Sequence, residues 1–129
     1  MGQKWLGAEV LRLCLERGYD VAAVAAPDVE DRLHRAAIAA GVRVSVCGQS
    51  LKPAAVPDGT DVIVAAHAHC FIPEETRARA RLGALGYHPS LLPRHRGRDA
   101  VRWVIHMGER TTGGTVYWMT DKADAGPIA

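Results

Sequence analysis

The 129-residue chain has no marked excess of charge of either sign: Lys and Arg number 16 against 14 Asp and Glu, a net charge of +2. So weak a field does not draw a protein onto a phosphate backbone, so nucleic acid in general is not an expected partner. The sequence also lacks any apolar run approaching the ~20 residues that span a bilayer, and its first residues have none of the features of an export signal. Its three cysteines, Cys14, Cys47 and Cys70, are odd in number and without metal-type spacing, which argues against a secreted disulfide framework. These absences together predict a soluble, cytoplasmic protein with no membrane partner. Internal repeats are absent as well. What remains is an ordinary globular composition, 48% hydrophobic and 23% charged, at a length suited to one compact domain.

Within that domain, hydrophobic periodicity alternates between helix and strand. Val10, Leu11, Leu13, Cys14 and Leu15 mark a helix face over residues 8–17, with Gly18 as its stop. A short apolar run at 20–25 has the length of a buried parallel strand, and Pro27-Asp28 closes it. A helix at 28–40, a strand at 42–46, a loop carrying Pro53, Pro57, Asp58 and Gly59, and a strand at 61–66 follow. Further helices are predicted at 74–81 and 99–107, and further strands at 82–87 and 114–119. This alternation predicts an α/β domain with a mainly parallel, twisted, doubly wound sheet. Functional residues are expected at the C-terminal ends of its strands. Such a domain normally opens on a central strand, yet residues 2–7 lead straight into a helix, and the chain stops at the apolar residues 126–129. The sheet is therefore expected to be incomplete at both ends, residues 1–129 being a fragment of a larger domain. Residues 2–7 do not match G-x-G-x-x-G and are read as a turn lining the crevice.

Two segments carry the candidate chemistry. The run from Tyr87 to Gly97, YHPSLLPRHRG, uses two prolines and a glycine to fix an unusual backbone after a predicted strand. It places His88 where an imidazole can donate a hydrogen bond or a proton. The second, TDKADAGPI from Thr120, sets Asp124 in a tight loop after another predicted strand. A carboxylate beside an imidazole orients it or polarises a water, although an aspartate two residues before a glycine is also a common turn former. His67, His69 and Cys70 lie together, but the two histidines share one strand face while Cys70 points elsewhere and no second ligand cluster exists, so no metal is expected. Arg94, Arg96 and Arg98 read either as a patch for an anionic substrate or as an exposed loop. Trp103, Tyr117 and Trp118 read as core and sheet packing.

The combination of His-Pro-Ser-Leu-Leu-Pro followed by Arg-Gly, a helix with Trp103, Gly108-Glu109, Thr112-Gly113-Gly114-Thr115 and Asp124-x-Gly126 resembles the formyltransferase family. That family includes glycinamide ribonucleotide, methionyl-tRNA and sugar-amine formyltransferases and the hydrolase domain of 10-formyltetrahydrofolate dehydrogenase. The likeness extends more weakly through 65–73 to the first helix. It implies a Rossmann-like catalytic domain that moves a formyl group from 10-formyltetrahydrofolate to an amine-bearing substrate, which in one branch is a tRNA. By the same resemblance His88 and Asp124 are the catalytic pair. Ala66, His67, Ala68, His69, Cys70, Phe71 and Ile72 would line the pterin pocket, together with Thr120, Asp121, Lys122 and Ala123. Gly86, Ser90 and Arg94 would meet substrate. One departure stands out: most transferases of the family carry Asn two residues before the histidine, where this chain has Gly86. Loss of such an oxyanion donor costs about 10²–10³ in rate. The hydrolase domain also lacks the Asn, which leaves three alternatives: amine transfer, water as the acceptor, or a folate-binding module without turnover.

Overall fold

A computed structural model describes residues 1–68 and 70–129. Helix α1 (Lys4–Glu16), strand β1 (Val24–Ala26), helix α2 (Arg32–Ala39), strand β2 (Val44–Val46) and strand β3 (Ile63–Ala65) come first. Helix α3 (Glu74–Arg77), strand β4 (Ala84–His88), helix α4 (Ala100–His106) and strand β5 (Thr115–Trp118) complete the order. The alternation read from the sequence is present, and every element after α1 is shorter than predicted. Helix α1, however, begins at Lys4, so four of the residues read as a crevice-lining turn are helical.

Strands β1 and β2 pair in parallel, as do β3 and β4, while β5 runs antiparallel to β4. The fold is an α/β, Rossmann-like arrangement in two sheet segments, β1-β2 and β3-β4-β5. Met1 and Gly2 lie between the segments. Gly2 N–H donates to the Ala25 carbonyl at 3.2 Å, and Ala66 N–H donates to the Met1 carbonyl at 2.9 Å. A cavity of about 720 Å³, lined by apolar residues such as Leu11, Ala23 and Ile63, opens between β1 and β3.

Burial explains why these short strands form. All three residues of β1 are buried, as expected of a strand covered on both faces. Strand β4 instead alternates, with Ala84, Gly86 and His88 buried and Tyr87 exposed, so one face carries the interior. In β5, Thr115 and Tyr117 are buried and Val116 is exposed. Two apolar clusters support the sheet segments: Leu51, Val56, Ile63, Ile72 and Ala84 belong to one, and Leu11, Val24, Leu33 and Ala37 to the other. Helix α2 is capped by Asp31, whose carboxylate accepts from Leu33 N–H at 2.8 Å and from Lys4 N–H at 3.0 Å, so one side chain serves the first turns of both α1 and α2. Among the described residues, no helix is long and apolar enough to cross a membrane.

Candidate active site

His88 is the last residue of β4 and 6% exposed. Its Nε2 lies 2.7 Å from the carbonyl oxygen of His95. A carbonyl can only accept, so Nε2 carries the hydrogen of that bond. Its Nδ1 faces Asp124 Oδ2 at 3.3 Å, which makes Nδ1 the ring nitrogen able to exchange a proton. The ring is therefore fixed at one edge by backbone and directed at a carboxylate by the other.

The loop that holds the ring is itself held. Ser90 Oγ donates to the Arg94 carbonyl at 2.6 Å, Thr115 Oγ1 donates to the Ser90 carbonyl at 2.7 Å, and Leu92 N–H donates to Thr115 Oγ1 at 3.1 Å. The Leu92–Pro93 bond is cis, and His95 has φ 52°. His95 Nε2 donates to Glu109 Oε1 at 2.7 Å, and Arg94 pairs with the same carboxylate. Glu109 thus anchors the loop whose carbonyl orients His88.

Asp124 reaches this position by a route the sequence reading did not foresee. That reading had two parallel strands ending at one crevice. Because β5 is antiparallel to β4, the loop after β5 leaves from the other end of the sheet and has to fold back over its inner face. Trp118 N–H donates to the Pro127 carbonyl at 2.8 Å, and Tyr117 bridges Ile128, which closes the loop on itself. Asp124 sits at its turn with φ 50°, a left-handed conformation that aspartate adopts more readily than most residues. Oδ1 accepts from the Tyr117 hydroxyl at 2.6 Å, and Oδ2 accepts from Gly97 N–H at 2.7 Å. The carboxylate thus has two fixed donors as well as the imidazole. Tyr117 is 5% exposed. Burial, and then its bond to Asp124, hold the phenol well above its ordinary pKa, so it remains a donor.

The other predicted site residues divide. Gly86 is buried on the inner face opposite Tyr117, and a Cβ placed there would lie 2.8 Å from the tyrosine ring. Ser90 is fully buried with its hydroxyl on Arg94, so it shapes the loop and offers no free group to a substrate. Arg94 is exposed and paired with Glu109, which neutralises the charge expected to meet an anion. In the expected pterin wall His67, Ala68 and Phe71 are exposed and Cys70 half-buried, whereas Ala66 and Ile72 are buried. Ile72 is packed in the core cluster and presents no apolar surface to a ligand. Some backbone groups of that wall are already engaged within the fold. Ala66 N–H is bonded to Met1, Phe71 N–H donates to the Gln49 carbonyl at 2.9 Å, and the Ile72 carbonyl accepts from Arg77. The Cys70 thiol is pushed up to about 12 by burial and by Cys47 beside it. His69 lies outside the described residues. Thr120, Asp121, Lys122 and Ala123 are all exposed. Among the described residues no group of three or more His, Cys, Asp or Glu side chains could hold a metal ion.

Two residues at the site were not singled out as functional. Tyr117 was assigned to packing, although the alternation of β5 turns it to the same face as Thr115, and a buried tyrosine hydroxyl needs a partner. Arg77 gave no sequence signal. It is buried in α3, and its guanidinium donates to the Ile72 carbonyl at 2.6 Å and to Asp121 Oδ1 at 2.5 Å. It therefore ties the 66–72 segment to the 120–123 loop. Trp103, read as core, is half exposed on α4 with its ring edge-on to His106. Replacing Arg77 by alanine is expected to cost about 1–3 kcal/mol of stability, because the buried Ile72 carbonyl loses its donor. Urea unfolding of the variant measures this.

The chain is similar to known proteins in sequence and in fold. A model of the formyl transferase family matches residues 47–129. Mitochondrial 10-formyltetrahydrofolate dehydrogenase from Mus musculus is 33% identical over an alignment covering 99% of this chain and 15% of that protein. The chain thus spans about 15% of the length of that relative. Methionyl-tRNA formyltransferase from Thermotoga maritima is 44% identical over 54% of this chain and 22% of its own length. Glycinamide ribonucleotide transformylase 1 from Symbiobacterium toebii superposes with a TM-score of 0.79 at 25% identity, covering 98% of this chain and 68% of that one. The matched region contains the held His88 loop, the folded-back Asp124 loop and the strands between them, and with these likenesses the chain belongs to the formyl transferase family.

Proposed function

We propose that this chain moves a formyl group from 10-formyltetrahydrofolate to an amine, with His88 and Asp124 as the reacting pair. The observation that carries the reading is the 3.3 Å approach of His88 Nδ1 to Asp124 Oδ2, with Nε2 committed to the His95 carbonyl. An amine attacking a formyl carbon loses a proton, charge develops on the formyl oxygen, and the departing folate nitrogen must gain a proton. Asp124 Oδ2 takes the proton from the amine. With both ring nitrogens protonated, His88 Nδ1–H lies a little beyond a good hydrogen-bond distance from that oxygen, so without moving the ring it can donate to the formyl oxygen as charge develops there. The proton then passes to the folate nitrogen as the carbon–nitrogen bond breaks. Exposed Phe71 offers an apolar plane for a pterin ring, and Arg77 keeps the exposed 120–123 loop beside that segment.

A second reading has its own support. The position of the usual Asn amide is Gly86, and the Tyr117 ring fills the space of its side chain. The mouse relative that aligns along nearly the whole chain bears the name 10-formyltetrahydrofolate dehydrogenase. In this reading water replaces the amine and formate is the product. Incubating the chain with 10-formyltetrahydrofolate, with and without primary amines, separates the cases. Tetrahydrofolate that appears only with an amine marks the transferase, and formate released without amine marks the hydrolase. Tight binding without product marks a binding module, and neither binding nor turnover overturns the proposal.

A further inference from the structure

We infer that Tyr117 is a positioning residue for Asp124, occupying the place that a side chain at position 86 would take and holding one carboxylate oxygen by its hydroxyl. The inference rests on the reading of Asp124 as a reacting group and adds to it a residue that the sequence had assigned to packing. Strands β4 and β5 turn Gly86, His88, Thr115 and Tyr117 to one face, and their register sets Tyr117 opposite Gly86 and Thr115 opposite His88. A Cβ at position 86 would come within 2.8 Å of both Cε1 and Cζ of the tyrosine ring and 3.0 Å of its hydroxyl oxygen. Those distances are well inside ordinary van der Waals separation, so residue 86 must lack a side chain for the ring to lie there.

From that place the hydroxyl reaches Asp124 Oδ1 at 2.6 Å. The other oxygen, Oδ2, is held by Gly97 N–H and faces His88. With both oxygens fixed the carboxylate cannot rotate, and proton exchange with the imidazole is confined to Oδ2. The phenol stays protonated and only donates, so it supports the ionised carboxylate. Glycine at 86 and tyrosine at 117 thus form one unit. The donor that a side chain at position 86 would have aimed at substrate is replaced by a donor aimed at the aspartate.

Tyr117→Phe keeps the ring and removes only the hydroxyl. It is expected to unfold cooperatively like the wild type and to lower kcat roughly tenfold with the folate KM unchanged. At a fixed pH the NMR resonance of the Asp124 carboxyl carbon should also move, because the carboxylate has lost a hydrogen-bond donor. The same displacement of that resonance is expected without substrate. That resonance keeps the two ideas apart: a wild type without turnover overturns the proposed function, while the displacement still decides the role of Tyr117. A Tyr117→Phe chain with wild-type kcat and an unmoved Asp124 carboxyl resonance overturns the inference. The packing half has its own test, a double-mutant cycle of Gly86→Ala with Tyr117→Ala read by urea unfolding. Gly86→Ala should lower the unfolding midpoint strongly in the wild type and far less where the ring is gone. Additive effects refute the pairing.

Discussion

His88→Ala is expected to lower the rate of formyl release from 10-formyltetrahydrofolate by about 10²–10⁴-fold, the usual contribution of a positioned acid–base group. The geometry argues for an effect on chemistry in a chain that stays folded. When the imidazole is removed, Asp124 keeps the Tyr117 hydroxyl and Gly97 N–H as donors, so the carboxylate is not stranded. The His95 carbonyl loses a donor, but its loop remains tied through Ser90 and through Glu109. Asp124→Asn should fall in the same range, since it preserves shape and removes the basic oxygen that faces Nδ1. If the two act as a unit, the double variant will be little slower than either single one. Single-turnover rates on variants with wild-type unfolding transitions measure this. A folded His88→Ala chain that releases formyl at the wild-type rate would remove His88 from the chemistry.

The second large effect is expected at a residue with no side chain. A Cβ on Gly126 would lie 1.7 Å from the carbonyl oxygen of Trp118 and 2.9 Å from its carbonyl carbon. Both are backbone atoms of the strand end that the loop closes upon, with Trp118 N–H bonded to Pro127 in the same pair. No side-chain rotation relieves such a contact, so the loop that carries Asp124 must open. Gly126→Ala is expected to cost about 3 kcal/mol of stability. It should also lower activity by about 10²-fold, the effect of misplacing a reacting group by about an ångström. Gly48 is the control, because a Cβ there meets nothing within 4 Å and its φ is not in the left-handed region. Gly48→Ala should stay within about 0.5 kcal/mol of wild type, as surface substitutions generally do. Comparable urea midpoints for the two variants would show that the tight turn at Gly126 is not what holds Asp124.

The legible part of the site was the part written in consecutive residues. The YHPSLLPRHRG run announced an unusual backbone through its prolines and glycine, and that backbone is what presents the His95 carbonyl to His88. Asp124 was legible for the same reason, as the turn residue before Ala125-Gly126 in a tight loop. The burial of Ser90 and Ile72 was not legible, because their neighbours in sequence do not reveal what covers them. Ser90 is enclosed by Thr115 and Arg94, and Ile72 by a core drawn from Leu51, Ile63 and Ala84. Arg77 was invisible because a charged residue on a short helix normally faces solvent, and its burial is made tolerable by Asp121 and the Ile72 carbonyl.

By itself the sequence determined which segments are helix and which are strand, since the periods of 3.6 and 2 in apolar residues are local properties of the chain. It also determined the chemical groups available, His88 and Asp124 above all. The tertiary structure decided how they meet. The direction of β5 depends on which strand edge it pairs with, and no period within residues 115–118 encodes that choice. Once β5 is antiparallel, Tyr117 falls opposite Gly86, the loop folds back over the inner face, and Asp124 comes to His88 with its other oxygen held by a tyrosine. That glycine looks like a loss when position 86 is considered alone. Beside the ring it accommodates, it is the vacancy that allows the carboxylate to be held.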